Sequence, residues 1–345
     1  MAAPILLCDT AGMTNARWLE CRMHGPKGDI PYTTGGSDVA AIFGVSPWVT
    51  PLELWMIKKG KMKPPPKANA NTLEMGHMLE DIAAFWYGKK TGNTVINDTN
   101  MYQHADFPFA LADFDRRFIR ASDGERGILE CKSCSWRVAK EWDNGGYPYN
   151  YELQLRFYLA VADVNHGAFS AVWGNNPDQD LALPTLERDK KLEDMIFEKL
   201  ERWIWSLEHD VPPTMDNIPT SLALKSLANI YPRSDAALPT MEFPIKYEPD
   251  LRRMSVLQTE IGEYQEEIKK RTKEFDALSV RFAEMMKAHE KAVLETTTDK
   301  LLIDFATRIS NRTDTAALKK NHPLVYADVV KESCSRKMKV SVQPL

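Results

Sequence analysis

Gly127-Ile128-Leu129-Glu130-Cys131-Lys132-Ser133 is an apolar, β-compatible run broken by a carboxylate and an ammonium two positions apart. It predicts a strand entering the core of a sheet. Strand side chains alternate, so Glu130 and Lys132 project from one face and Leu129 and Cys131 from the other. A lone Glu-x-Lys is weak evidence, because a structural ion pair looks the same in sequence. Its meaning depends on what else the chain brings to that face.

Just upstream, Phe109-Ala110-Leu111-Ala112-Asp113-Phe114-Asp115-Arg116-Arg117-Phe118 is again strand-like, and Ser122-Asp123-Gly124 lies between the two runs. An Asp-Gly step is a strong hairpin signal. With Asp123 and Gly124 at the centre of the turn, Asp115 falls opposite Lys132 and diagonal to Glu130, and Asp113 lies two steps further along. Asp115 is therefore the better metal ligand and Asp113 the alternative. Two carboxylates beside a fixed ammonium make a hard, oxygen-rich site of the kind Mg²⁺-assisted phosphodiester hydrolysis needs, and the backbone carbonyl of Cys131 could add a third oxygen.

Two helices supply further polar groups. Asn71 to Tyr87 has an amphipathic pattern that ends near Gly92, and places Gly76 and Glu80 one turn apart on a shared face. A glycine inside a helix costs about 1 kcal/mol against alanine, which suggests close approach of another backbone or a ligand. Glu80 then reads as a carboxylate serving a metal through water, against the bland reading of a surface glutamate. Tyr151 to Ala162 is a buried helix marked by Leu155, Leu159 and Ala162, with Gln154 and Tyr158 a turn apart. A neutral amide and a phenol can donate hydrogen bonds to phosphate oxygens without neutralising the carboxylates. The bland alternative is the polar rim of a core helix.

At 345 residues, with 43% hydrophobic, 10% aromatic and 27% charged residues, the chain is sized for one large domain with additions or for two, and its composition argues against disorder throughout. No apolar run is long enough to cross a bilayer, and Met1 to Cys8 lacks the basic start of an export signal, so a soluble protein of the cytoplasm is expected. Five scattered cysteines fit a reducing compartment. A net charge of −4 does not advertise a nucleic-acid binder, so any such function must come from local patches.

Residues 1–210 hold the carboxylate and strand signals and all nine tryptophans, and read as the functional domain. A proline-bearing stretch over 211–250 reads as a linker with short elements. Within 251–345, Met254, Leu257, Ile261, Tyr264, Ile268, Phe275, Leu278, Phe282 and Met285 form a heptad seam with one step filled by Arg271. The seam could zip with another chain or fold back as one arm of a helical hairpin. From Lys300 to Leu345 nine basic residues face four acidic ones, a pattern of either a solvated tail or a phosphate-backbone contact.

Gly76-x-x-x-Glu80, Asp115, Glu130-x-Lys132 and Gln154-x-x-x-Tyr158, in this order, resemble the motif series of the PD-(D/E)XK nuclease superfamily, in particular the branch of the phage lambda exonuclease and the YqaJ viral recombinases. Trp18 to Gly25, Gly35 to Trp48 and Leu52 to Trp55 are similar to the opening of that family, and Thr315 to Tyr326 to the tail of its longer members. The resemblance implies an α/β fold, a mixed central sheet flanked by helices, here with an α-helical C-terminal extension. It implies a Mg²⁺-dependent exonuclease, with Mn²⁺ as a substitute, working from the 5′ end of linear double-stranded DNA. The 3′ strands it leaves would feed recombination with a single-strand annealing protein, in the cytoplasm of a bacterial host. By position, Asp115 and Glu130 match the metal ligands, Lys132 the residue acting on the attacking water, and Glu80 a carboxylate supporting the metal through water. Arg22, Ser37 and Gln154 match residues that hold the terminal phosphate, a donor-rich set that Tyr158 extends. An insertion, Pro26 to Thr34, separates Arg22 from Ser37. Relatives form rings around the duplex, so a homo-oligomer, including a trimeric ring, is expected, with no membrane partner.

Other signals weigh less. Cys131-x-x-Cys134 has no second pair, and only Cys334 lies downstream, which argues against zinc and against an iron–sulfur cluster. His77 reads as packing or solvent-facing. Trp48, Trp55 and Trp136 read as core or groove wall ahead of base-stacking platforms, although one of them could act as a wedge at a DNA fork. A structure-specific endonuclease with the same core and a non-catalytic DNA-binding assembly protein are the competing functions.

Overall fold

The structure is a computed structural model and describes residues 3–64, 70–307 and 315–329. It divides into two compact units, Met1–Tyr231 and Pro232–Leu345.

The first unit contains strands β1 (Ile5–Asp9), β2 (Thr94–Ile96), β3 (Asn100–Gln103), β4 (Leu111–Asp113), β5 (Arg116–Ile119), β6 (Arg126–Ser133), β7 (His166–Val172), β8 (Leu181–Ala182) and β9 (Thr185–Glu187). Its helices are α1 (Asn15–His24), α2 (Gly36–Ile42), α3 (Pro51–Lys58), α4 (Ala70–Thr91), α5 (Tyr149–Ala162), α6 (Lys190–Glu208) and α7 (Thr220–Ile230). The central sheet runs β2-β5-β6-β7-β8, with β9 also on β7, and a smaller antiparallel sheet runs β1-β3-β4. β6 and β7 are parallel and are joined through α5, while β5 and β6 form an antiparallel hairpin. This is the expected mixed sheet flanked by helices.

Alternation along β6 decides which helix covers which face. Ile128, with Phe169 and Ala171 of β7, packs against Leu155, Phe157 and Leu159 of α5 and Phe197 and Leu200 of α6. Leu129 and Cys131, with Ala168 and Val172, pack against Ala83, Ala84 and Tyr87 of α4. Burying one such large side chain contributes about 1.5–3 kcal/mol, so both layers are firmly seated. Helix starts follow local chemistry: Thr50 accepts from the backbone N–H of Glu53 and is followed by Pro51 at the first turn of α3, and Asp189 accepts from Lys191 and Leu192 at the start of α6. α4 stops before Gly92, which takes a φ of 75°.

One expectation changes. The hairpin pairs Arg116 with Leu129 and Phe118 with Gly127, which brings Asp115 level with Glu130 and not with Lys132. The loop is longer than a two-residue turn: Arg120 and Glu125 close it, with Gly124 at φ 78°. A shift of two positions keeps each side chain on its face but changes its partner. The proline-bearing segment 211–250, expected as a linker with short elements, holds such an element. It contains α7, which docks on α3: buried Ser226 shares a 2.6 Å hydrogen bond with Thr50, and Asn229 donates to Glu53 at 3.2 Å.

The second unit contains α8 (Glu248–Met286), a hairpin of β10 (Lys291–Glu295) and β11 (Lys300–Asp304), and the short helices α9 (Thr315–Asn321) and α10 (Pro323–Val329). All nine apolar residues of the heptad seam on α8 are exposed. Intrahelical pairs such as Glu267 with Arg271 and Glu248 with Arg252 support it. Of the basic C-terminal residues, Arg308, Arg312, Lys331, Arg336, Lys337 and Lys339 lie outside the described residues, as does Cys334.

Candidate active site

The C-terminal half of β6 carries the centre of the site. Glu130 is 1% exposed although titratable, and Lys132 donates to its Oε1 at 2.5 Å. Lys132 also reaches Gln154 Oε1 on α5 at 3.5 Å, and Gln154 donates to the Tyr158 hydroxyl at 3.2 Å. Asp115 enters from the start of β5, where its Oδ2 accepts the Cys131 backbone N–H at 2.8 Å. Glu80 arrives from α4 and pairs with His77 at 3.0 Å. Side chains 50 residues apart in the chain therefore meet at one end of one strand.

Their protonation shows the strain of that meeting. Burial, then the neighbouring Asp115, pushes the Glu130 carboxyl up from its ordinary 4.5 to about 8, against the pull of Lys132. Burial and the charge of Asp115 raise Glu80, with His77 opposing. Asp115 is raised by burial, with Lys132 and the Cys131 N–H opposing. Burial works against the Lys132 ammonium, but Glu130 and Asp115 overrule it and hold the charge well above the ordinary range. Three carboxyl groups thus crowd one ammonium, and burial holds all three above their ordinary values.

Whether a divalent cation fits follows from the donor set. Glu130 Oε2 is buried and has no hydrogen-bond partner. An ionised carboxylate oxygen only accepts, and burying it unpaired is costly, so a cation is the natural complement. Asp115, Glu130 and Glu80 are hard oxygen donors suited to Mg²⁺. In the conformation described, Glu130 Oε1 is occupied by Lys132 and Asp115 Oδ2 by the Cys131 N–H, and among the described residues no group of three His, Cys, Asp or Glu side chains is arranged as a ready cage. The residues fit the ion by the chemistry of their oxygen donors, with one carboxylate oxygen open for it.

Beside this centre lies the Arg22 recess, where that guanidinium and Lys58 sit among the carboxylates of Asp38 and Asp113. Arg22 of α1 donates to Ser37 Oγ at 3.1 Å. The guanidinium rests on bare backbone: a Cβ at Gly35 would stand 2.0 Å from Arg22 Nη2, and one at Gly36 would stand 2.5 Å from Tyr158 Cε1. Arg22 also covers the Trp18 ring at 4.9 Å. Asp38 accepts from Lys58 at 2.9 Å and from the Gly35 N–H at 3.0 Å, and these donors with Arg22 hold its carboxyl below the usual range despite burial. The insertion of residues 26–34 does not part Arg22 from Ser37. It loops out, closed by Ile30 N–H on His24 C=O, and the Thr33 hydroxyl donates to the Arg22 carbonyl.

The structure thus brings Glu80, Asp115, Glu130, Lys132, Gln154 and Tyr158 together, with Arg22 and Ser37 alongside. Asp113, the alternative metal ligand, turns elsewhere: its Oδ2 accepts from Trp18 Nε1 at 2.9 Å, on the Arg22 side. Gly76 is not pressed by another backbone, since a Cβ there would lie an ordinary 3.5 Å from Ser133 Oγ. Sequence reasoning missed His77 as the partner of Glu80, Trp18 as the strut between Asp113 and Arg22, and the Asp38–Lys58 pair. The spacing of His77 and Glu80 was a usable signal; the other pairings join distant segments.

Residues 17–165 match the model of the YqaJ-like viral recombinase domain. The chain is 29% identical over 341 residues to a protein of Bacillus subtilis (strain 168) described as uncharacterized protein YqaJ, covering 96% of each. Among solved structures it resembles an alkaline exonuclease from Laribacter hongkongensis, at 17% identity and a TM-score of 0.46 over 57% of this chain and 94% of that one. A phage related exonuclease from Haemophilus somnus 129PT aligns at 15% identity and a TM-score of 0.39, over 52% of this chain and 95% of that one. Among the described residues no helix is long and apolar enough to cross a membrane.

Proposed function

For a chain whose residues 17–165 match the YqaJ-like viral recombinase domain, we propose a Mg²⁺-dependent exonuclease that degrades linear double-stranded DNA from 5′ to 3′. The 3′ single strands it leaves serve phage-type homologous recombination, with a single-strand annealing protein as partner. The observation that carries this reading is the convergence of Asp115, Glu130 and Lys132 at the end of β6, with Glu80 behind them and a buried carboxylate oxygen left unpaired.

Asp115 and Glu130 would hold the divalent ion, with Glu80 supporting it through water and the Cys131 carbonyl in reach. Bound there, the ion supplies charge neutralisation to the phosphodiester and lowers the pKa of water. Lys132 remains an ammonium and stabilises negative charge growing on the phosphoryl oxygens. Gln154, tied to Tyr158, donates to a phosphate oxygen and orients it. Water adds to phosphorus, the bond to the 3′ oxygen breaks, and a 5′ mononucleotide leaves. Arg22 and Ser37 grip the terminal 5′ phosphate, which sets the register of the cut. Homo-oligomerisation, in a ring enclosing the duplex, would keep the enzyme on its substrate where a net charge of −4 does not.

End-labelled linear duplex incubated with Mg²⁺ or with chelator tests the proposal, with closed circular DNA as control. Mononucleotide release from the linear form alone, dependent on the metal, is expected. Cutting of the circle would make the protein an endonuclease, and binding without cleavage would make it an assembly protein.

A further inference from the structure

An aromatic ladder leads outward from Lys132. Its Nζ lies 4.8 Å from the Tyr151 ring centroid. Tyr151 stacks on buried Trp142 at 5.9 Å, and meets Trp48 at 6.3 Å with the planes 37° apart. The inner member, Trp142, is 2% exposed, whereas Trp48 is 60% exposed. The two steps, 4.8 Å and 6.3 Å, keep the Trp48 ring within their sum, about 11 Å, of the ammonium. Trp48 is not on a loose loop, because the Ser46 hydroxyl accepts from the N–H groups of both Trp48 and Val49, at 3.2 and 3.3 Å. By contrast Trp55 is core, and the exposed Trp136 contacts its neighbour Arg137.

An indole held open to solvent, backed on one side by an aromatic ring and a short step from a phosphate-binding ammonium, has the form of a stacking shelf. Every nucleobase has a π-face, so such a shelf binds without reading sequence. We propose that Trp48 stacks on the base of the terminal nucleotide in the cleaved strand, with Tyr151 fixing the ring from behind, and so delivers the adjoining phosphodiester to Lys132. The inference rests on the exonuclease reading and adds a nucleobase subsite to it. Trp48 here is a binding residue, separate from the carboxylates and the Arg22 recess.

The test compares two linear duplexes, one with a normal 5′-terminal nucleotide and one with an abasic analogue there, digested by wild type, Trp48→Ala and Trp48→Phe. Wild type should cleave the base-bearing end roughly ten-fold more efficiently in kcat/KM, the scale of one stacked base. Trp48→Ala should bring that end down to the abasic level without slowing the abasic end further, and Trp48→Phe should keep most of the difference. Equal rates at both ends in wild type, or discrimination that persists in Trp48→Ala, would overturn the shelf. Failure of wild type to cut either end strikes the nuclease reading instead. In that case quenching of tryptophan fluorescence by single-stranded DNA, lost in Trp48→Ala, supports the shelf, and quenching unchanged by the substitution or absent overturns it.

Discussion

Replacing Glu130 with glutamine removes the charge that the fold tolerates least. In the metal-free protein this carboxyl sits at about 8, against 4.5 when free of its surroundings. An acid whose folded value is raised contributes no penalty below pH 4.5, where both states are protonated. Stability then falls as pH rises from 4.5 to 8, because unfolding releases the carboxyl to ionise freely. At 1.36 kcal/mol per pH unit, the penalty reached by pH 7 is at most about 3.4 kcal/mol. For a unit of this size that is a melting shift on the order of 5–10 °C at the upper limit. Glu130→Gln should therefore melt above wild type in chelator at pH 8, and the gap should close toward pH 5. Mg²⁺ should raise the wild-type melting temperature and leave the variant nearly unmoved, because the unpaired Oε2 has become part of an amide. Differential scanning calorimetry at the two pH values, with and without Mg²⁺, measures all of this. A variant that melts below wild type in chelator by the same margin at both pH values would refute the account of a strained, cation-seeking carboxylate.

Lys132→Ala should lower cleavage by on the order of 10²–10³ in kcat while DNA affinity measured by fluorescence anisotropy is retained; unchanged turnover would take Lys132 out of the chemistry. Arg22→Ala should weaken ends bearing a 5′ phosphate by roughly 10–100-fold in kcat/KM, as expected for lost hydrogen bonds to a charged group, and should slow unphosphorylated ends much less. Equal loss on both kinds of end would count against the recess as a phosphate site. Gly36→Ala forces a methyl to 2.5 Å from Tyr158 Cε1; denaturant melts should show a loss of about 1–3 kcal/mol, together with slower cleavage as Tyr158 is displaced from Gln154.

What the sequence disclosed, and what it hid, divides along the range of the interactions. β6, α4 and α5 announce themselves through periods of two and 3.6, so the facing of Glu130, Lys132, Glu80 and Gln154 was legible before any coordinates. The Asp123-Gly124 step announced the hairpin but not the length of its loop, because the turn chemistry is the same whether Asp-Gly is the whole connection or the end of a longer one. The register therefore slipped by two, and Asp115 came level with Glu130. The choice between Asp113 and Asp115 depended on Trp18, 95 residues from Asp113, a pairing that no local pattern encodes. The docking of α7 was hidden for a related reason: flanking prolines suggest a linker with short elements, while the anchor is a hydroxyl pair, Thr50 with Ser226, across 176 residues. The glycine at 76 was readable as an anomaly in a helix, but its neighbour, the Ser133 hydroxyl, comes from another strand.

Between Asp113 and Asp115 the chain changes allegiance. Residues up to Asp113 run along β3 in the small sheet, while Arg116 onward runs along β6 in the central one. One aspartate is thus tethered to Trp18 and the guanidinium, and the other, two residues later, to the peptide N–H of Cys131. A tilt of one sheet against the other would therefore change the separation of the two carboxylates. On the proposed exonuclease reading, that separation sets how far the Arg22 side lies from the metal-binding side.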